Sequence, residues 1–261
     1  TEMKLRSLSL ICISMSLSSS CVAKPDPDTQ HALPDFGANL PERYSLVYET
    51  DFSTDSVCSD FEFTDPNTWR LQTEDGEPCL ELYEKIGDYT PEVRSPHTIA
   101  LLTKFQVGDF VLEVDAESTN ISAGAHRDTC YFFGLSNPSR FYYVHIASGA
   151  DPNAHNIFLV KDAPRTNIAT YTTKGIDWGV GIRHRIRIER TVSDGAIRVY
   201  FNDMTTPVMQ ATDTSFDWGF VGLGSFDDTA KFYALKLYAP ETRNAITRIF
   251  TKKATDKVSS K

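Results

Sequence analysis

Apolar and polar residues alternate with a period of two along most of the chain. That is the pattern of strands whose side chains point in turn to opposite faces. The clearest case is "GIRHRIRIER" (181–190), where Ile182, Ile186 and Ile188 share one face and Arg183, Arg185, Arg187 and Glu189 the other. After the turn "SDG" (193–195), Ile197, Val199 and Phe201 point inward again, which predicts a β-hairpin. "YSLVYETDF", "CLELYEK", "TIALLTKF", "GDFVLEVDAES", "NIFLVKD", "GFVGLGSF" and "KFYALKLYAP" add further strands. No window of about 11 residues carries a helical stripe. Many short strands broken by Gly, Pro, Asn and Asp turns predict an all-β fold, an antiparallel two-sheet jelly-roll sandwich.

Composition changes this picture at the two ends. From Met3 the sequence reads as an export signal over 1–23: Lys4 and Arg6, the apolar run "LSLICISMSL", then "SSSC". The apolar run is shorter than the ~20 residues that span a bilayer. Its end resembles a bacterial lipobox, which makes Cys21 a candidate lipidated residue and a membrane anchor; cleavage after "CVA" (21–23) is the alternative. Both place the protein outside the cytoplasm, at the cell surface or in the periplasm as a lipoprotein, otherwise secreted. Residues 24–43, rich in Pro and Asp, read as a tether. The domain is then 44–239, followed by a basic tail, 240–261.

The net charge is −9. The tail carries six basic and two acidic residues, so the rest of the chain holds −13. A body that acidic lacks the positive field of a nucleic-acid-binding protein. Of the cysteines beyond the signal, Cys58 and Cys79 flank one polar segment and are the expected disulfide, with Cys130 a buried free thiol.

The order "YETDFST", "GDFVLEVD", "RHRIRIER…GAIRVYFND", "GFVGLGSFDDTAKFYALKLY" resembles the concanavalin A-like lectin/glucanase superfamily. That superfamily includes laminin-G-like modules, jelly-roll glycoside hydrolases and polysaccharide lyases. The resemblance covers roughly 44–239 and implies a curved sheet whose concave face binds glycans. Polysaccharide is therefore the implied partner, with no required cofactor.

Candidate chemistry concentrates in "HRDTCYFFGLSNPSRFYYVHIA" (126–147). Tyr142, Val144 and Ile146 form the apolar set of the second segment, leaving Phe141, Tyr143 and His145 on the opposite face. In the first segment Cys130 and Phe132 read as the core set. An antiparallel register matching 131 to 143 then sets Thr129 opposite His145, with Arg127 one diagonal step away. A one-residue slip substitutes His126 and Asp128. Tyr143 and His145 suit an acid–base pair for β-elimination on a uronate, with Arg127 or His126 beside them. Arg140 or Arg165 would grip the carboxylate, and His155 and Asn156 would complete the rim. The "QIH" and "RxExR" motifs of alginate lyases are absent.

"EVDAE" (113–117) matches the E-x-D-x-E of laminarinase-type hydrolases, with Glu113, Asp115 and Glu117 on one face; a solvated acidic strand face is the plainer alternative. Trp178 and Trp218, each in a "DWG", could stack on sugar or serve as turn-and-core residues. Asp51 and Asp227 are candidates for a structural calcium if the first and last strands are neighbours. No zinc-type Cys/His spacing is present. The expectation is thus an exported polysaccharide-degrading enzyme, a β-elimination lyase first, with a glycoside hydrolase or a non-catalytic glycan-binding module as alternatives.

Overall fold

A computed structural model describes residues 32–245 and 248–250. The export signal, Cys21, the first part of the tether and the end of the basic tail lie outside the described residues. In chain order the strands are β1 (Ser45–Thr50), β2 (Phe61–Phe63), β3 (Trp69–Glu74), β4 (Glu77–Leu82), β5 (Thr98–Val107), β6 (Phe110–Ser118), β7 (Asp128–Asn137), β8 (Arg140–Ala147) and β9 (Asn156–Lys161). There follow β10 (Thr166–Asn167), β11 (Ala169–Thr172), β12 (His184–Arg190), β13 (Ala196–Phe201), β14 (Met209–Thr212), β15 (Gly219–Ser225), β16 (Ala230–Ala239) and β17 (Arg243–Asn244). Helical structure among the described residues is confined to the short 3-10 segments Asp55–Asp60, Pro66–Thr68 and Ile121–His126.

The strands form two antiparallel sheets, a jelly-roll sandwich. The first runs β11-β14-β13-β12-β6-β16-β4-β3 with β1 on β16, and the second β10-β9-β8-β7-β15-β5-β17 with β2 on β5. Between them lies the main core. Leu112, Val114, Ile186, Ile188, Val199 and Leu235 come from the first sheet, and Leu102, Tyr131, Phe133, Tyr142, Val144 and Leu223 from the second. The hairpin read from "GIRHRIRIER" is β12–β13, with Ile188 opposite Val199.

A second core covers the other face of the second sheet. Leu101, Cys130, Phe132, Phe141, Tyr143, Phe158 and Phe220 pack there beneath Val93, Phe226, Ala245, Ile249 and Phe250. The loop before β5 and the chain beyond β16 therefore roof this sheet. The basic tail begins as part of the domain: Arg243 and Asn244 pair with β5, and the Ile249 and Phe250 N–H groups donate to the Glu62 carboxylate at 2.6 and 2.9 Å.

Three expectations are corrected by this arrangement. Phe132, not Tyr131, stands opposite Tyr143, and Cys130 opposite His145. The two-residue loop Pro138–Ser139 sets Asn137 opposite Arg140, and a bulge between Phe133 and Asn137 shifts the register by two, so odd positions of β7 pair with even positions of β8 and the reverse. Tyr131 and Phe133 thus fill the inter-sheet core, and Cys130 and Phe132 face outward. Second, Cys58 and Cys79 are free thiols. Cys58 packs against the inter-sheet core, whereas Cys79, between the inward Leu80 and its neighbours, points to the far face of the first sheet. Third, the tether is docked from Pro34 to Ala38 against the first sheet, as described below.

Candidate functional site

The sequence-predicted residues fall into separate places. Tyr143 is 0% exposed, its ring stacked on Phe132 at 5.9 Å and Phe158 at 5.1 Å. Its hydroxyl accepts from Arg165 Nη1 at 2.7 Å, and burial pushes its pKa well up. The Arg165 guanidinium lies over Phe226 and Phe158. His145 is 5% exposed and stacks on Phe226 at 6.0 Å. The open, ligand-facing surface expected of this pair is therefore absent, because the face is apolar enough to be roofed.

Arg127 is not beside Tyr143. It is buried against β6 and a loop, donating to the Ser118 and Gly179 carbonyls at 2.6 Å each. His126 is exposed at the end of Ile121–His126. Arg140 pairs with Asp162 at 3.4 Å on the surface. His155 is fully buried; its Nδ1 accepts from the Ala147 N–H at 3.2 Å and its Nε2 donates to Thr173 Oγ1 at 2.9 Å. Burial, then the nearby His145, lowers its pKa to about 4, so it is neutral. Asn156 donates to the Asp151 and Ala154 carbonyls. Trp178 is a core residue whose Nε1 donates to the Arg127 carbonyl at 3.1 Å, while half-buried Trp218 carries the Arg243 guanidinium over its ring at 3.6 Å.

Asp51 and Asp227 do not converge. Although β1 does pair with β16, Thr50 stands opposite Leu235, five positions or ~16 Å from the Ala230 end of that strand. Asp227 is in the turn beyond that end, and Asp51 is spent on the Ser53 N–H at 3.0 Å. Among the described residues neither acid belongs to a group of three metal-competent side chains.

The outer face of the first sheet carries a dense set of charged side chains. Its centre is the E-x-D-x-E strand. The β6–β12 register sets Glu113 opposite Arg187 and Asp115 opposite Arg185, and β16 brings Lys236 and Lys231 to the other side of Glu113 and Glu117. Arg187 Nε and Nη2 donate to Glu113 Oε1 at 2.8 and 2.6 Å, and Arg185 Nη2 donates to Asp115 Oδ2 at 2.8 Å. The N-terminal segment then lies across these pairs. The Gly37 N–H donates to Glu113 Oε2 at 2.6 Å, Arg187 Nη2 donates to the Ala38 carbonyl at 2.6 Å, and Arg185 reaches the Pro34 carbonyl. Phe36 sits 3.3 Å beneath the Arg185 guanidinium. Gly37 has φ +71° and its Cα faces Tyr238, where an added Cβ would stand 3.0 Å from the hydroxyl. Glu113 and Asp115 are therefore fully engaged and covered.

Glu117 is different. The strap's hydrogen bonds among the described residues reach Glu113, Arg187 and Arg185, whereas Glu117 Oε2 accepts from the Tyr233 hydroxyl at 2.8 Å. The two cations beside it are drawn elsewhere, Lys231 to Glu74 and Arg183 to Glu77. Desolvation raises the Glu117 pKa despite that hydrogen bond. Arg183 also covers the Tyr233 ring at 3.7 Å. Toward the β3 edge, Arg70 pairs with Glu81 at 2.7 Å and stacks over the exposed Tyr83 at 4.7 Å. These groups make a continuous polar, aromatic-dotted band across β12, β6, β16, β4 and β3. Only Glu117 was singled out from sequence. Lys231 and Tyr233 flank the inward Phe232 in "KFYALKLY", but a bulge between Phe232 and Ala234 puts Lys236 on the same face, so a period of two does not carry through this strand.

No protein-family model and no curated protein matches the chain. Its structure is similar to several solved jelly-roll structures. A carbohydrate-binding module, CBM66 from Bacillus subtilis, is 18% identical over 66% of this chain and 91% of that one, with a TM-score of 0.46. A protein with a galectin-like fold from the same organism is 10% identical over 78% and 98%, at 0.49. Winged bean acidic lectin complexed with methyl-alpha-D-galactose is 12% identical over 78% and 100%, at 0.49.

Proposed function

We propose that the protein binds a neutral polysaccharide, without cleaving it, on the open half of the first sheet's outer face. The observation that supports this reading is the band from Arg183 and Tyr233 through Glu117 and Lys231 to Glu81, Arg70 and Tyr83. Its cations are held by ion pairs and Glu117 by the Tyr233 hydroxyl before any ligand arrives, which lowers the ordering cost of binding. Carboxylate and guanidinium groups can engage vicinal sugar hydroxyls, and Tyr83 offers a ring face. Four acids (Glu74, Glu77, Glu81, Glu117) stand against three cations (Arg70, Arg183, Lys231), a balance that disfavours a uronate chain. Burial of Tyr143 and His145 likewise favours binding over β-elimination at that pair.

A hydrolase is the second reading, favoured by one observation: Glu117 is a carboxyl of raised pKa, the property of a general acid. Its partner carboxylate in the motif, Glu113, is sealed under the strap. The test is affinity electrophoresis and calorimetry against a panel of neutral and uronate polysaccharides, with reducing ends and unsaturated uronates followed in parallel. Binding to a neutral glycan that is lost in Glu117→Ala, with no products, supports the module. Release of reducing ends replaces it with the hydrolase, and unsaturated products with the lyase. The setting is outside the cytoplasm, on the strength of residues 3–23; Cys21→Ser should move a lipoprotein from membrane to soluble fractions.

A further inference from the structure

On the roofed face of the second sheet, Asp128, Cys130 and His145 sit together in a surface built mostly of Leu, Ile, Val and aromatic side chains. Cys130 and His145 are opposite each other across β7 and β8, and Asp128 lies two residues before Cys130 on the same face. One donor atom from each lies within 4.8 Å of the others, and all three residues are buried.

The Cys130 thiol donates to Asp128 Oδ1 at 3.9 Å, but hydrogen bonding leaves His145 incomplete. His145 Nδ1 is 3.1 Å from the Asn153 carbonyl, which can only accept, so the proton is on Nδ1. Nε2 is buried with no hydrogen-bond partner. It stands 3.3 Å from Asp128 Oδ2, within ion-pair distance but without the geometry of a hydrogen bond. Asp128 Oδ1 accepts from Ser225 Oγ at 2.7 Å and from the Phe226 N–H at 3.1 Å, which turns Oδ2 toward the histidine.

We propose that Asp128 Oδ2, the Cys130 thiolate and His145 Nε2 bind a zinc-like transition-metal dication. Two ligands at ~2.0–2.1 Å on a tetrahedral ion stand roughly 3.3 Å apart, the separation seen between Oδ2 and Nε2. A ligating histidine characteristically donates its other N–H to a carbonyl or carboxylate, as His145 does to Asn153. Thiolate, imidazole and carboxylate together suit zinc and exclude calcium and magnesium, which take oxygen. Charge also closes: a dication with one thiolate and one carboxylate is neutral, the condition a buried site favours. As the sulfur–metal bond forms, the Cys130 thiol gives its proton to solvent, so one proton leaves per ion bound. The ion would tie β7 to β8 and, through Ser225 and Phe226, to the turn that follows β15.

Cobalt(II) added to the reduced full chain tests this. The expected result is one equivalent bound, with a thiolate-to-cobalt charge-transfer band and the intense visible spectrum of a tetrahedral ion, both displaced by zinc. Cys130→Ser should abolish the charge-transfer band, His145→Gln should weaken cobalt binding about 100-fold or more, and the Cys58→Ser/Cys79→Ser double variant should keep the band. Because the single variants could fail to fold, the wild-type melting temperature is measured with zinc and with chelator; a zinc-dependent rise is expected. A folded wild type without the band, or a band that survives in folded Cys130→Ser, overturns the proposal.

Discussion

Glu113 and Arg187 face each other across β6 and β12, the carboxylate 0% and the arginine 1% exposed, joined by two hydrogen bonds to Oε1. Breaking one partner leaves the other charge sealed beneath the strap. Glu113→Ala should therefore cost about 3–5 kcal/mol in urea unfolding. Replacing both by apolar residues of similar volume, Glu113→Leu with Arg187→Met, should recover most of that loss. A single variant as stable as wild type would show that water reaches the pair.

The strap itself depends on Gly37. Its φ of +71° and the close approach of Tyr238 both oppose a side chain. Gly37→Ala should cost roughly 1–2 kcal/mol and speed proteolysis within 32–40, read by mass spectrometry of the first fragments. Unchanged cleavage would mean the segment docks without that conformation.

Two tyrosine hydroxyls separate the candidate surfaces. Tyr233→Phe removes the hydrogen bond to Glu117 and should weaken glycan affinity up to about tenfold, the equivalent of about 1.4 kcal/mol. Tyr143→Phe removes the acceptor of Arg165 beneath the roof; it should lower stability by about 1 kcal/mol and leave affinity unchanged. The opposite pattern in calorimetry would move the site to the second sheet.

His155 gives a pH signature. Its folded pKa of about 4 lies below the ordinary 6.5, so between those values the unfolded chain binds the extra proton. Stability contributed by the neutral imidazole is full above pH 6.5 and is lost as pH falls toward 4. The advantage of wild type over His155→Gln, measured by denaturation at each pH, should shrink across that window by up to about 3 kcal/mol. A difference that stays constant would mean that His155 protonates in the fold as easily as out of it.

Much of the fold could be read from alternation, because the inward positions of β12, β13 and β16 are aliphatic and the outward ones charged. In β7 both faces are apolar, so alternation could not say which one met the other sheet; the two-residue loop at Pro138–Ser139 decided it. The roof was hidden for a related reason. It is made by residues such as Val93, Phe226 and Phe250, which sit in irregular segments with no period of their own. Cys58 and Cys79, close to one polar stretch in sequence, were separated by the direction a single strand residue points. The acidic motif was legible as one face, but its engagement by Arg185, Arg187 and a strap some 75 residues earlier required the register.

The Glu62 carboxylate that holds the Ile249 and Phe250 N–H groups has a consequence for how the molecule is made. A ribosome delivers those residues after every strand of the sheet they shield. Until they arrive, that face is roofed by the earlier segments of Val93 and Phe226 without Ile249 and Phe250, leaving more apolar surface of the kind on which chains stick to one another. The latching of this segment onto one acidic side chain is then a late step of folding, and the interval before it is when a nascent chain has more need of a chaperone.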